Sequence, residues 1–424
     1  MIVQGITIQG FTFGSYDVPG APTIGTATMA SSTSATVTFT SPTKTGGTPI
    51  ISYTVTSSPG NITATGSSSP ITVTGLTAGQ NYTFTVKATN KIGSGPSSDA
   101  SNSILLDVIG QQLWESTSVP VSLSTRNSYA ESATWVVPDG VTSISIVCIG
   151  SGGAGLYRDT FVPPVGGAGG ALAYENNVSV TPGETLRITF GPGGRSGGST
   201  NRYASTSTVW RGTPFGASST LLCGASGGRQ GYFSGSGSSV IPVQSEAGLA
   251  YTPGTGSNPS TLSGSGTTGS GGYGVGGVGG AGTYGNTVNA GGGGAGGYGG
   301  AGGKGADSYF AVINATAGAS GGGGGGGKTT SGTSNGGAGG GTSPYGQEAD
   351  GTAGTNGNPA GDGGGGSSPA AYTKAGRVYG AGGGTTPIST YNSNNYSMSG
   401  GKGCVRIIYP GTTRQFPSTN TADM

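Results

Sequence analysis

The sequence predicts an all-β protein: one β-sandwich, then a second β-sandwich interrupted by a large glycine-rich insertion of polyproline-II character. Three observations lead there. Period-two runs of apolar and β-branched residues recur between turn residues from 34 to 90. A second set of such runs brackets the remainder of the chain and ends at residues 401–417. Between them glycine accounts for 54 of the 150 residues 251–400, against an ordinary frequency of about 7%.

Taken in order, residues 1–18 alternate apolar and polar ("IVQGITIQGFTF"), which predicts a short strand able to pair with another element, an N-terminal strand or anchor. Residues 19–106 carry "SATVTFT" (34–40), "IISYTVTSS" (50–58), "PITVTGL" (70–76) and "NYTFTVKATN" (81–90), strands too closely punctuated by turns to be helices. Leu76, the Ala78-Gly79 turn and Tyr82 have the arrangement of a tyrosine corner, in which a phenol oxygen ties a loop to the following strand. Residues 107–132 are expected to be a linker or lead-in strand. The second domain, 133–417, opens with "ATWVVPDGVTSISIVCIG", continues with two strands joined by the Thr181-Pro182-Gly183 turn, and closes with "GKGCVRIIYP"; residues 418–424 form a tail. Only 16 of the 95 glycines fall in the first 150 residues, so the chain is divided in composition as well as in pattern.

The glycine stretches break the every-third-residue phase that collagen requires. A flexible linker of this length, studded with tyrosines and followed by a closing strand, is also a poor fit. Packed polyproline-II helices remain. Such a helix has no internal hydrogen bonds, so each N–H and C=O must pair with a neighbouring helix, and glycine alone lets backbones approach that closely. One glycine run contains a formal phosphate-loop motif, Gly322 to Gly327 with Lys328 and Thr329. A phosphate loop needs a core strand before it and a helix after it. Here "NATAGAS" precedes and "SGTSNGGAGGG" follows, so the match reads as low-complexity sequence.

Residues 19–106 resemble a fibronectin type III domain, with Phe39 where such domains usually carry a core tryptophan and with no Arg-Gly-Asp loop, which implies a spacer or display role. The elements "ATWVVPDGVTSISIVCIGSGGAG", "GGALAYENNVSVTPGETLRITFGPGGRSG" and "GKGCVRIIYPGTTRQFPSTNT" resemble the glycine-rich domain of bacteriophage virion proteins, tail-fibre and adhesin proteins of cyanophage-like viruses in particular. That resemblance implies a structural protein of the virion surface, assembled in the host cytoplasm: a tail or neck appendage, or alternatively a capsid decoration protein. It also implies partners among other virion proteins through the N-terminal region, a host surface glycan or outer-membrane protein, and a homo-oligomer such as a trimer.

Charge and composition narrow the chemistry. A net charge of +2 with charges scattered leaves no basic footprint for nucleic acid. The absence of histidine removes the serine triad, the Cys-His dyad and imidazole metal ligands. Cys148, Cys223 and Cys404 are too few and too far apart for a zinc site, and their odd number is a poor disulfide framework. Buried small hydrophobes are the expected role of Cys148 and Cys404. The densest acidic set, Glu348, Asp350 and Asp362, offers paired carboxylates for glycoside hydrolysis or a weak calcium site, but reads first as solvated loop acids. No enzyme, cofactor or metal is expected. Recognition is expected on the loops that interrupt the glycine runs, 307–314, 343–350, 369–379 and 387–399. Their aromatics Tyr309, Phe310, Tyr345, Tyr372, Tyr391 and Tyr396 combine a flat apolar face with a polar tip suited to sugar rings or protein loops.

Overall fold

The computed structural model describes residues 7–8, 11–12, 16–116, 131–155, 165–194, 204–212, 219–229, 232–234, 241–243, 247–251, 254–255, 261–262, 265–268, 271–278, 290–306, 314–320, 322–323, 325–328, 339–345, 347, 351–356, 379–382, 384 and 400–417. Strands account for all its regular secondary structure among these residues, and none of them is helical. The chain divides into two units, Met1–Ile109 with Pro138–Val141, and Gly110–Val137 with Thr142–Met424.

In the first unit, β1 (Thr7–Ile8) and β2 (Phe11–Thr12), both within the alternating N-terminal stretch, pair antiparallel with each other. The sandwich that follows has a three-stranded sheet of β3 (Thr23–Ser31), β4 (Ser34–Thr40) and β7 (Ile71–Thr74). Facing it is a four-stranded sheet, in the order β6 (Thr63–Gly66), β5 (Ser52–Ser58), β8 (Asn81–Thr89) and β9 (Ile104–Leu105). Alternation puts Val37, Val55, Val73, Phe84 and Val86 fully inside. Phe39, the residue in the tryptophan position, packs its ring 4.7 Å from that of Tyr53. The tyrosine corner is present: the Thr77 N–H donates to the Tyr82 phenol oxygen at 3.0 Å, and Gly79 turns the chain at a φ of 78°.

Two polar devices complete this core. The Asn90 side chain donates to Asp17 O and Thr45 O and accepts from the Ile92 and Gly93 N–H groups, so a buried amide has all its capacity used. After β8, where apolar periodicity lapses into "SSDASNS", the ladder continues through serine hydroxyls. Ser98 N–H donates to Val86 O, and its Oγ accepts from Val86 N–H at 2.9 Å. Ser101 makes the same pair of bonds with Phe84, its Oγ at 3.0 Å.

The second unit is built on two sheets. One runs β10 (Gly110–Glu115), β24 (Cys404–Tyr409), β12 (Ser143–Ile149), β13 (Leu172–Ser179), β23 (Gly271–Gly274), β22 (Ser265–Thr268). The other runs β11 (Glu131–Val136), β14 (Thr185–Phe190), β15 (Ser207–Arg211), β16 (Thr220–Ala225), β19 (Ala250–Tyr251), β21 (Thr261–Leu262), with β20 (Gly254–Thr255) also on β16; β17 (Tyr232–Ser234) and β18 (Ile241–Val243) make a separate ribbon. The closing strand β24 pairs with both β10 and β12, so chain on either side of the insertion is joined in one sheet.

Two sequence expectations gain detail here and one is corrected. Of the linker or lead-in strand expected at 107–132, residues Gly110–Glu115 form edge strand β10, where Leu113 and Trp114 have apolar surface to bury. The strands flanking the Thr181-Pro182-Gly183 turn belong to different sheets, so that turn carries the chain from one layer to the other. The correction concerns the insertion expected between residues 194 and 401, which is not uninterrupted: β15 and β16 lie within it, with Val209, Trp210, Leu221 and Leu222 buried.

All seven residues of β12 are buried, as a central strand covered on both faces requires. One face looks across the sandwich, where Ser207 Oγ donates to Ile149 O at 2.7 Å. The other lies under an aromatic cap in which Tyr298 stacks on Phe416 at 6.0 Å and meets Tyr174 at 5.4 Å.

The glycine segments pack as a lattice with a repeat of three. Gly291, Gly294 and Gly297 donate to Ala306, Gly303 and Gly300 of one neighbour. Gly293 and Gly296 donate to Gly167 and Gly170 of a second, while Gly292 and Ala295 accept from Gly326 and Gly323 of a third. Three residues per turn is the period of polyproline II. None of the glycines in these segments has a positive φ, so they are not there for left-handed turns. What they supply is room: a Cβ on Gly293 would lie 1.9 Å from Gly277 O, and one on Gly339 would lie 2.0 Å from Gly293 O.

Candidate functional site

A backbone committed to lattice bonds has little left for a ligand. The N–H groups of Gly322, Gly323, Gly325 and Gly326, which a phosphate loop would aim at its anion, donate instead to Ala319, Ala295, Thr316 and Gly292, and Lys328 N–H donates to Asn356 Oδ1 at 3.1 Å. Any ligand would therefore have to be met by side chains rather than by this backbone.

Of the six aromatics expected to serve recognition, Tyr309, Phe310, Tyr372, Tyr391 and Tyr396 lie outside the described residues, as do the acids Glu348, Asp350 and Asp362. Tyr345 is described, and it is 42% exposed. It is the visible tip of a buried polar column. The Tyr345 N–H donates to Ser343 Oγ at 3.1 Å, and Ser343 O accepts from the Tyr298 hydroxyl at 2.9 Å. Beneath the ring the Arg406 guanidinium stands 4.6 Å from its centroid. Arg406 is 1% exposed; it donates to Pro344 O at 3.2 Å and to Gln111 Oε1, and burial pushes its pKa below the ordinary guanidinium value. A buried cation must be paired with acceptors or a π face. Here it has both, and the result is to fix the loop that carries Tyr345.

A second contact braces the same region. Tyr379 donates its hydroxyl to Glu115, Lys402 Nζ lies 2.9 Å from Glu115 Oε1, and the same ammonium sits 5.3 Å from the Tyr379 ring centre. Burial raises the Tyr379 hydroxyl well above its usual range, reinforced by the negative charges nearby. Burial also pushes Glu115 upward, but the hydrogen bonds from Tyr379 and Lys402 and the lysine charge outweigh it and hold the carboxyl below its usual value. Thr342 N–H donates to Tyr379 O, which ties this contact to the Ser343–Tyr345 loop. Strand β10 thus clamps the insertion with Gln111 and Glu115, and β24 with Arg406.

Sequence reasoning named Tyr345 as a candidate and passed over the Arg406 that packs against it. The available signal was a lone charge inside the β-branched run "CVRIIY", a position where arginine is tolerated only with partners. Among the described residues, no group of three or more cysteine, aspartate or glutamate side chains could hold a metal.

Comparison with known proteins agrees with this architecture. A fibronectin type III domain matches residues 20–104, so the first unit carries one. The family described as "Glycine-rich domain" matches residues 127–357, more than half of the sequence, and the chain belongs to that family. No curated protein matches. Among solved structures, titin domains A168–A170 are 26% identical with a TM-score of 0.20, covering 22% of this chain and 33% of their own. Human cardiac titin module A71 is 29% identical with a TM-score of 0.18, covering 22% of this chain and 93% of its own. Chicken CNTN1 FN1–FN3 is 14% identical with a TM-score of 0.21, covering 58% of this chain and 98% of its own. The chain spans a third or less of several of the structures it matches, and at these scores the likeness bears no functional weight.

Proposed function

We propose that this protein is a non-enzymatic structural component of a bacteriophage virion, a tail or neck appendage whose glycine-rich unit is presented to the host surface. The observation that carries the proposal is the division of labour in the second unit. The glycine backbone is consumed by its own lattice, while Tyr345 is held outward on a buried arginine. A rigid scaffold that fixes an aromatic at a loop tip suits stacking on a surface sugar or an outer-membrane protein loop. In this reading the fibronectin type III domain is a spacer, and the N-terminal region meets other virion proteins.

The test is competition. Purified protein added to host cells should reduce adsorption of the parent particle. Tyr345→Ala should compete markedly less well while its thermal midpoint stays nearly unchanged. If wild type does not compete, or if Tyr345→Ala competes equally, the host-contact reading fails. Quantitative labelling of particles then distinguishes the two placements: a few to tens of copies fits an appendage, and hundreds fits head decoration.

A further inference from the structure

Three cysteines far apart in sequence converge in the core of the second unit. Cys148, Cys223 and Cys404 are all free and all buried. Cys148 lies on β12 and Cys223 on β16, so they belong to opposite sheets. The Cys223 thiol crosses the gap and donates to Ala173 O at 3.4 Å, and Ala173 is the residue directly opposite Cys148 in the β12–β13 ladder. Besides burial, Cys223 also helps to raise the Cys148 thiol pKa, as two thiols facing each other across the gap would. Cys404 is placed differently. It stands opposite Ile149 in the β24–β12 ladder, where Cys148 stands opposite Val405, and it packs with Ile149, Tyr298 and Phe416. Because side chains alternate along a strand, Cys404 occupies the capped outer face of the sheet while Cys148 occupies the face toward Cys223.

We propose that Cys148 and Cys223 are a cross-sheet disulfide site, closed by exchange with a small-molecule disulfide such as oxidised glutathione once the protein is in an oxidising medium. The step balances without any other reagent. One thiolate attacks oxidised glutathione, releasing one reduced glutathione and leaving a mixed disulfide. The second thiolate attacks the protein sulfur, the Cys148–Cys223 bond forms, and a second reduced glutathione leaves; the two thiol protons end on the two glutathiones. Burial pushes the Cys148 and Cys404 thiols far above their usual range, so exchange takes place as the sandwich folds or opens and not in the closed state. The odd number of cysteines then has a simple meaning: two form the staple, and Cys404 is a packing residue on the other face.

The experiment refolds the full-length protein with oxidised and reduced glutathione, alkylates the remaining thiols under denaturing conditions, and maps peptides by mass spectrometry. The expected product is two hydrogens lighter, contains a Cys148–Cys223 peptide pair and carries the alkyl label on Cys404 alone. Its guanidinium midpoint should lie above that of the reduced protein, because the bridge restricts the unfolded chain. Cys404→Ser should leave the bridge intact, and Cys223→Ser should remove it. A bridge through Cys404, or three labelled thiols after glutathione refolding to a soluble product, would overturn the proposal; the wild-type map decides this even if a variant fails to fold.

Discussion

Gly323→Ala should unfold much of the glycine lattice's stability, and the size of the loss can be worked from the local geometry. A Cβ at residue 323 would lie 2.0 Å from Gly340 O and 2.3 Å from its carbonyl carbon, with backbone on the other side and no flexible side chain to yield. Opening that approach to an ordinary contact near 3.4 Å requires a shift of about 1.4 Å. The bonds on the spot are Gly323 N–H to Ala295 O at 3.0 Å and Gly303 N–H to Gly323 O at 2.8 Å. A shift of that size takes both beyond hydrogen-bond range. Two buried donors left without partners cost about 1–3 kcal/mol each, so the expected loss is about 2–6 kcal/mol. Gly299→Ala is the matched control: the nearest atom to its Cβ is Ser320 Oγ at 3.8 Å, and the change should be neutral or stabilise by up to ~1 kcal/mol through reduced freedom of the unfolded chain. The assay is guanidinium denaturation followed by tryptophan fluorescence. Trp114, Trp135 and Trp210 all belong to the second unit, so the signal reports that unit alone. Equal midpoints for the two variants would refute the claim that these glycines are present for backbone approach.

Further predictions concern both units. Tyr82→Phe removes the acceptor for Thr77 N–H and should lower first-unit stability by about 1 kcal/mol, measured by native-state hydrogen exchange of its slow amides. Ser98→Ala and Ser101→Ala each strand a buried N–H, of Val86 and Phe84 respectively, and should cost about 1–3 kcal/mol apiece by the same measurement; a neutral result would show that water or a strand shift replaces the hydroxyl. Glu115 is depressed in the folded state, so its contribution is present above the unfolded value near 4.5 and is lost as pH falls through the lower folded pKa. Acid titration below pH 4.5 should therefore expose Tyr379 to solvent, read by its NMR shifts, and Glu115→Gln should largely abolish that titration.

How much of this was legible in the sequence depended on which atoms carry the structure. Strand β4 coincides with the run read at 34–40, and β8 falls within 81–90, because alternating side chains announce a half-buried strand. The tyrosine corner was legible because it needs particular residue types at a fixed spacing. The last edge of the first sandwich was not, since Ser98 and Ser101 continue the ladder with hydroxyls and no apolar alternation marks them. β15 and β16 were hidden by their surroundings, short apolar runs in a Ser/Thr/Gly background. In the glycine segments the close packing could be deduced from composition, but the assignment of partners could not, because a residue without a side chain carries no label for its neighbour. The site showed the same split: an exposed tyrosine in a loop could be picked out, whereas its pairing with Arg406, sixty-one positions later in the chain, is set only by how β24 returns to the sheet.

The three-residue repeat of the lattice imposes a rule on how such a protein can change length. Each position in a segment addresses one of three neighbours in rotation, as Gly291, Gly294 and Gly297 do toward one partner and Gly293 and Gly296 toward another. Inserting or deleting three residues in a segment preserves every address beyond the change. One or two residues would turn the rest of the segment by a third of a revolution and direct side-chain positions into neighbouring backbone. Length variation among relatives should therefore be quantised in triplets of amino acids within the segments and free of that phase in the loops, so a family of such proteins could exchange its tips while its interior keeps count.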